Sequence, residues 1–324
     1  MANGSVLSTR FTDLVGCRVP LQQAGMGGVS TPELAAAVAG AGGLGMVALP
    51  GAPAPYVAAV LERLATMTDG AYGVNFLMPF LDEGALDEAA ARCRVVEFFY
   101  GAPSAALAER ARSNGALVCW QVGSVDEARA AVGAGCDLIV VQGTEAGGHV
   151  RGHTPMLPLL DAVLARVDVP VVAAGGIATA RGVAAALAAG ADAVRIGTRF
   201  VACVECDAHA DYVRALLDAD DDATMLTETF AAGWPDAPHR VLRSCVDAAA
   251  RLDRDVVGES GSGPGSHPIV RFSAEPPGRE ATGTIGAMAL YAGQGVGAVS
   301  SVARAADVVR ELTDGAAELL RRFA

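Results

Sequence analysis

Hydrophobic positions fall into short runs spaced along the chain. Val19 to Ala24, Gly43 to Leu49, Ala71 to Met78, Val95 to Tyr100, Ala116 to Val122, Cys136 to Gln142, Val169 to Ala174 and Ala191 to Gly197 read as eight strands. Leu138 to Val141 and Val169 to Ala174 are apolar throughout rather than alternating, as in a parallel sheet covered on both faces. Ala-rich segments between them read as helices: Thr31 to Ala39, Ser124 to Val132, Pro155 to Arg166 and Thr179 to Ala189. Several carry start signals, with Thr31 before Pro32 and Glu33, a capping box from Ser124 to Glu127, and Thr154 before Pro155. Eight strand-helix units in series predict an α/β protein with a closed (β/α)8 TIM barrel, ahead of an open doubly wound sheet.

The rhythm stops after Phe200. Glu205 to Leu217 looks helical, Asp220 to Asp222 is an acidic turn, Gly258 to Ser266 is a Gly/Ser-rich loop, and an amphipathic helix runs from about Ser300 to Phe323. If that last helix is the eighth of the barrel, residues 1–204 and 285–324 form the barrel. Residues 205–284 are then a smaller insertion, mostly helical or irregular, that covers the substrate.

Composition narrows the chemistry. The chain has 324 residues, 52% of them hydrophobic, enough to bury a large core. All 24 basic residues are Arg, and without Lys there is no Schiff-base enzyme and no P-loop. A net charge of -12 argues against nucleic-acid or anionic-membrane partners. Seven dispersed Cys suggest a reducing cytoplasm rather than a disulfide scaffold, and the N-terminal residues through Asp13 carry no apolar core of signal-peptide length. Leu34 to Leu49 is too short and too weakly apolar to span a bilayer. The Ala-rich helices leave a homo-oligomer open.

Gly40, Gly42 and Gly45 match a dinucleotide fingerprint, but a helix precedes them and a strand follows, the reverse of the required order; a helix-to-strand turn fits better. The Gly175-Gly176 and Gly197-Thr198 turns end the seventh and eighth strands, where barrels commonly build a phosphate site from backbone N–H groups, with an Arg such as Arg199 at hand. After the sixth strand, Gln142 to His149 sets one imidazole in a Gly-rich loop at the catalytic end. His149 and His153 have metal-ligand spacing, but the surrounding Gly and Pro oppose the helix that would align them, and no metal is expected. Cys203 and Cys206 form a lone C-x-x-C, and His209, His239 and His267 are read as surface or capping residues.

Taken in order, six motifs resemble those of the nitronate monooxygenase family, formerly called 2-nitropropane dioxygenases. They are Pro20 to Met26, Gly73-Val74-Asn75, Gln142 to His149, Pro170 to Ile177, Gly197 to Phe200 and Ala292 to Gly295. The resemblance implies FMN in a (β/α)8 barrel. Ala24, Gly25 and Met26 would pass beside the flavin, Asn75 and Gln142 would hydrogen-bond it, and Gly147, Gly148, Gly175, Gly176, Ile196, Gly197 and Thr198 would line the cofactor and its phosphate. His149 matches the family's active-site His. Met26, Tyr291 and Gln294 are expected in the substrate pocket. The implied reaction is oxidation of a nitronate or nitroalkane with O2 to a carbonyl compound and nitrite. The chain departs from the family pattern at two positions, Gly25 where Pro is usual and Arg195 where Gln is frequent, and members with Gly at the first resemble the related FMN reductases that use NAD(P)H on quinones or enoyl thioesters. A non-enzymatic phosphate sensor would leave His149 without a purpose.

Overall fold

The computed structural model describes residues 6–262 and 265–322. All eight expected strands form, at Leu21–Gln23, Gly45–Ala48, Tyr72–Leu77, Val95–Phe99, Leu117–Val122, Leu138–Gln142, Val171–Ala174 and Ala193–Ile196. They are parallel neighbours in one sheet, with the first strand paired to the eighth. A bridge between Gln22 and Leu44, with Gln23 N–H donating to the Leu44 carbonyl at 2.9 Å, joins the first strand to the second and closes the barrel. Strand ends fall inside the expected ones for local reasons. Pro20 and Pro170 have no N–H to give a ladder, and Tyr100 turns out of the fourth strand with φ 65°.

Two apolar layers follow from the strand pattern. One lies between strands and helices and includes Trp120, stacked on Phe98 with ring centres 4.7 Å apart. The other fills the barrel interior and is plugged by a helix at Arg10–Val15 that the hydrophobic pattern did not reveal. Phe11 and Val15 enter the barrel end, and Arg10 Nη2 holds Asp192 at 2.7 Å. Thr31 and Ser124 cap their helices as expected, accepting from Leu34 and Glu127 N–H groups. The Glu127 carboxylate, however, accepts from Gly123 N–H instead of completing the capping box. The Gly42 turn has φ 104° and closes the helix Pro32–Ala41 before the second strand.

The last helix, Ala305–Arg321, packs on the helices Ala180–Ala188 and Pro32–Ala41, the place of an eighth barrel helix. Its expected end at Phe323 lies outside the described residues, as does part of the 258–266 loop. The segment between barrel and last helix carries more strand than its composition suggested. Its helices are Ala210–Leu217 and Arg243–Arg251, with the first starting late because residues 207 and 209 donate to Val29 and Pro277 carbonyls. Its strands, two to four residues each, are too short to show a period. Thr224–Thr227 pairs with His239–Leu242, which pairs in turn with Gly148–His149, while Val256–Glu259 pairs with Pro268–Val270 and Thr282–Gly283. The first of these sheets ties the segment to the loop after the sixth barrel strand.

Candidate active site

The C-terminal ends of the strands open into a cavity of about 650 Å³. The loop after the first strand contributes Ala24, Gly25 and Met26, the third strand Asn75, and the sixth strand with its loop Gln142, Gly147, Gly148 and His149. Gly175, Gly176, Gly197 and Thr198, from the turns after the seventh and eighth strands, close one side, and Tyr291 and Gly293 come from the chain leading to the last helix. Three expected residues stand elsewhere. Ile196 is buried in the strand-helix layer, and Gln294 is exposed, its backbone N–H donating to the Glu145 carbonyl at 2.9 Å. Arg199 turns away, its Nη1 on the Ser301 carbonyl at 3.3 Å and its Nη2 near Glu311.

Packing and backbone conformation each account for one glycine. A Cβ on Gly147 would lie 2.5 Å from Gly293 N and 2.6 Å from the Ala292 carbonyl carbon. Gly176 has φ 68°, a left-handed turn that side chains disfavour. The loop is also clamped. His149 and Gly148 pair with His239 and Arg240, and Gln142 Nε2 donates to the His149 carbonyl at 2.9 Å. Arg240 Nε donates to the Thr144 carbonyl at 2.9 Å, and both Glu145 carboxylate oxygens accept from Met156 N–H, starting the helix Met156–Leu164.

His149 is half-buried as a residue, but its Nε2 is enclosed and has no partner. Burial, and then the neighbouring His239, push its pKa down to about 3, so the ring is neutral near pH 7. His239 is fully buried, contrary to its expected surface or capping role. Its Nε2 accepts from Phe230 N–H at 3.1 Å and its Nδ1 faces the Ala237 carbonyl at 2.8 Å, which selects the Nδ1–H tautomer. The indole of Trp234 stacks on His149 with ring centres 3.8 Å apart.

Beneath the cavity, inside the barrel, Glu97 is fully buried and paired with Arg195. Its carboxylate also accepts from Gln22 Nε2 at 2.8 Å and Asn75 Nδ2 at 2.7 Å. Arg195 and Gln121 line the cavity, and Gln121 Oε1 and Gln142 Oε1 are buried without partners. His153 is exposed and outside the cavity lining, and Cys203 and Cys206 are buried free thiols raised to about 12 by burial. Among the described residues, no three His, Cys, Asp or Glu side chains gather as a metal site, and no helix is long and apolar enough to cross a membrane.

A closed barrel with a largely apolar, glycine-walled cavity at its C-terminal mouth, containing one imidazole and several unpaired amides, is the architecture of a cofactor-dependent enzyme. The nitronate monooxygenase family model matches residues 8–93 and 82–315, and the chain belongs to that family of oxidoreductases. A relative from Mycobacterium tuberculosis, named (3aS,4S,5R,7aS)-5-hydroxy-7a-methyl-1-oxo-octahydro-1H-indene-4-carboxyl-CoA dehydrogenase, is 39% identical over 242 residues, covering 74% of this chain and 67% of its own. A nitronate monooxygenase from Pseudomonas aeruginosa is 36% identical over 299 residues, covering 75% and 83%. The solved structure of FabK from Thermotoga maritima superposes with a TM-score of 0.79 at 28% identity, covering 98% of this chain and 99% of the other.

Membership of the family implies a flavin cofactor and a small-molecule substrate. The residues present fit such a cofactor. The unpaired carbonyl oxygens of Gln121 and Gln142 suit ring N–H donors, Arg195 suits electron-rich carbonyls, and the glycine turns admit a flat ring and a phosphate.

Proposed function

We propose that the protein is an FMN-dependent nitronate monooxygenase, converting alkyl nitronates and O2 to a carbonyl compound and nitrite. The observation that carries this reading is His149: a neutral imidazole whose unpartnered Nε2 belongs to a ring lining an apolar cavity. Bound FMN supplies the electron-accepting and oxygen-reacting chemistry. Gln121, Gln142 and Asn75 would hold its ring, and the turns at Gly175-Gly176 and Gly197-Thr198 its phosphate.

His149 has two uses toward the substrate. With the proton on Nε2 it donates to a nitronate oxygen, and the anion it contacts draws its pKa upward again. With Nε2 free it accepts the carbon-bound proton of a neutral nitroalkane. The surrounding rings of Trp234 and Tyr291 exclude water, which strengthens either interaction.

The test is oxygen uptake with propyl-2-nitronate by the FMN-loaded protein. Uptake with nitrite release is expected, and His149→Ala should lower turnover on the order of 100-fold while FMN stays bound. A second reading, hydride transfer between NAD(P)H and an acyl thioester, is favoured by the 39% identity to a carboxyl-CoA dehydrogenase. Rapid anaerobic bleaching by NADH or NADPH, without nitronate-dependent oxygen uptake, would replace the first reading with the second.

A further inference from the structure

His149 lies under an aromatic cover supplied by the segment that follows the barrel. Trp234 stacks on the imidazole with planes 25° apart, while Phe80 and Tyr100 meet the indole edge-on, at 85° and 72° and ring-centre distances of 5.2 and 4.8 Å. The indole is thus wedged between the imidazole and rings from the loops after the third and fourth strands. Trp234 is 8% exposed, although Gly233 and Pro235 beside it are exposed. Below it, His149 Nε2 is enclosed and has no protein partner.

The backbone around this cover is strained. Among the described residues, three besides glycine have a left-handed φ: Tyr100 at 65°, Asp236 at 53° and Phe272 at 65°. Tyr100 touches both the indole and the imidazole, Asp236 lies two residues beyond Trp234, and the Phe272 carbonyl accepts from Ala232 N–H at 2.9 Å. The loop is anchored at both ends, by a bridge from Ala232 to Ser273 and by Val150 N–H donating to the Pro238 carbonyl. Gly233, with φ 90°, lies just inside the first anchor. The indole therefore has a flexible backbone position next to it and fixed points on either side.

We propose that Trp234 is the specificity-determining gate of this site: the indole must leave the imidazole face before substrate reaches His149 Nε2. Substrates that are flat and conjugated, such as the sp² C=N group of a nitronate, replace the stacking that is lost, whereas tetrahedral or branched groups do not. The proposal rests on the reading of His149 as the catalytic residue, but its test can be read without turnover.

Carbethoxylation of His149 by diethyl pyrocarbonate, mapped by peptide mass spectrometry on the FMN-loaded protein, measures access to the imidazole directly. Trp234→Ala should speed modification of His149 by roughly ten-fold, the weight of one lost stacking contact. Trp234→Phe should stay near the wild-type rate, and the exposed His267 should react equally in all three proteins and serve as the internal standard. In turnover, Trp234→Ala should narrow the preference for the linear ethylnitronate over the branched propyl-2-nitronate, with KM changing more than kcat. An unchanged His149 rate in Trp234→Ala overturns the gate. Unmasking of His149 in a protein that turns over no nitronate keeps the gate and removes the monooxygenase reading.

Discussion

Replacing Glu97 by Gln isolates the charge at the bottom of the site. The change keeps the side-chain volume and nearly keeps the hydrogen bonds. Asn75 can still donate to the new amide oxygen, and Gln22, whose Oε1 is unpartnered, can turn that oxygen toward the new amide N–H. What is lost is the compensation of Arg195, which is only 8% exposed. Leaving one member of a buried ion pair uncompensated costs roughly 3–5 kcal/mol. Unfolding entropy scales to about 0.7 kcal/mol/K for 324 residues, so the melting temperature should fall by about 4–7 °C. Differential scanning calorimetry at one FMN concentration checks this, since bound ligand itself shifts the midpoint. The double variant Glu97→Gln, Arg195→Gln removes both charges and should recover most of the loss, giving a favourable coupling energy in the cycle. A double variant as unstable as the two single losses added together would show that the cost lies in packing, and the electrostatic account of the barrel interior would be wrong.

Three further outcomes follow from the loop that carries His149. Gly147→Ala forces the loop away from Ala292 and Gly293, at a cost of about 1–3 kcal/mol; thermal melting should show the loss, and fluorescence titration should show weaker FMN binding. Arg240→Ala removes the bonds to Thr144 and Thr224, so hydrogen exchange should accelerate in residues 143–149 and remain slow in the barrel strands. Stability should also fall with acid in a way that depends on His149. The unfolded chain takes up its proton near pH 6.5 and the native ring only near 3, so the native state binds fewer protons between these values and loses up to roughly 1.4 kcal/mol per pH unit as pH drops. His149→Asn should flatten that part of the curve, and parallel curves for the two proteins would rule out a neutral buried imidazole.

Most of the eight strands were legible because they are short apolar runs, and a strand buried on both faces needs nothing else to mark it. The loop of His149 was legible because one imidazole among glycines at a strand end has few structural uses. The cover over it was not. Trp234, Tyr100 and Phe80 come from three distant parts of the chain, and no spacing relates them. The start of the helix Met156–Leu164 differs from the expected Thr154 cap for a similar reason: its N–H is satisfied by Glu145, eleven residues away.

One long-range contact is nevertheless written in the sequence. Across the eight barrel strands the charged side chains are Glu97 and Arg195, each set in an otherwise apolar run. A carboxylate inside a barrel has to be compensated, and a strand guanidinium is the available cation. Their pairing follows from that condition. Arg195 departs from the family pattern, and its partner Glu97 explains how the departure is tolerated. In a barrel that buries a carboxylate, Gln at position 195 would leave Glu97 uncompensated, so the two positions are expected to change together, with Arg accompanying Glu and a neutral side chain accompanying a neutral one.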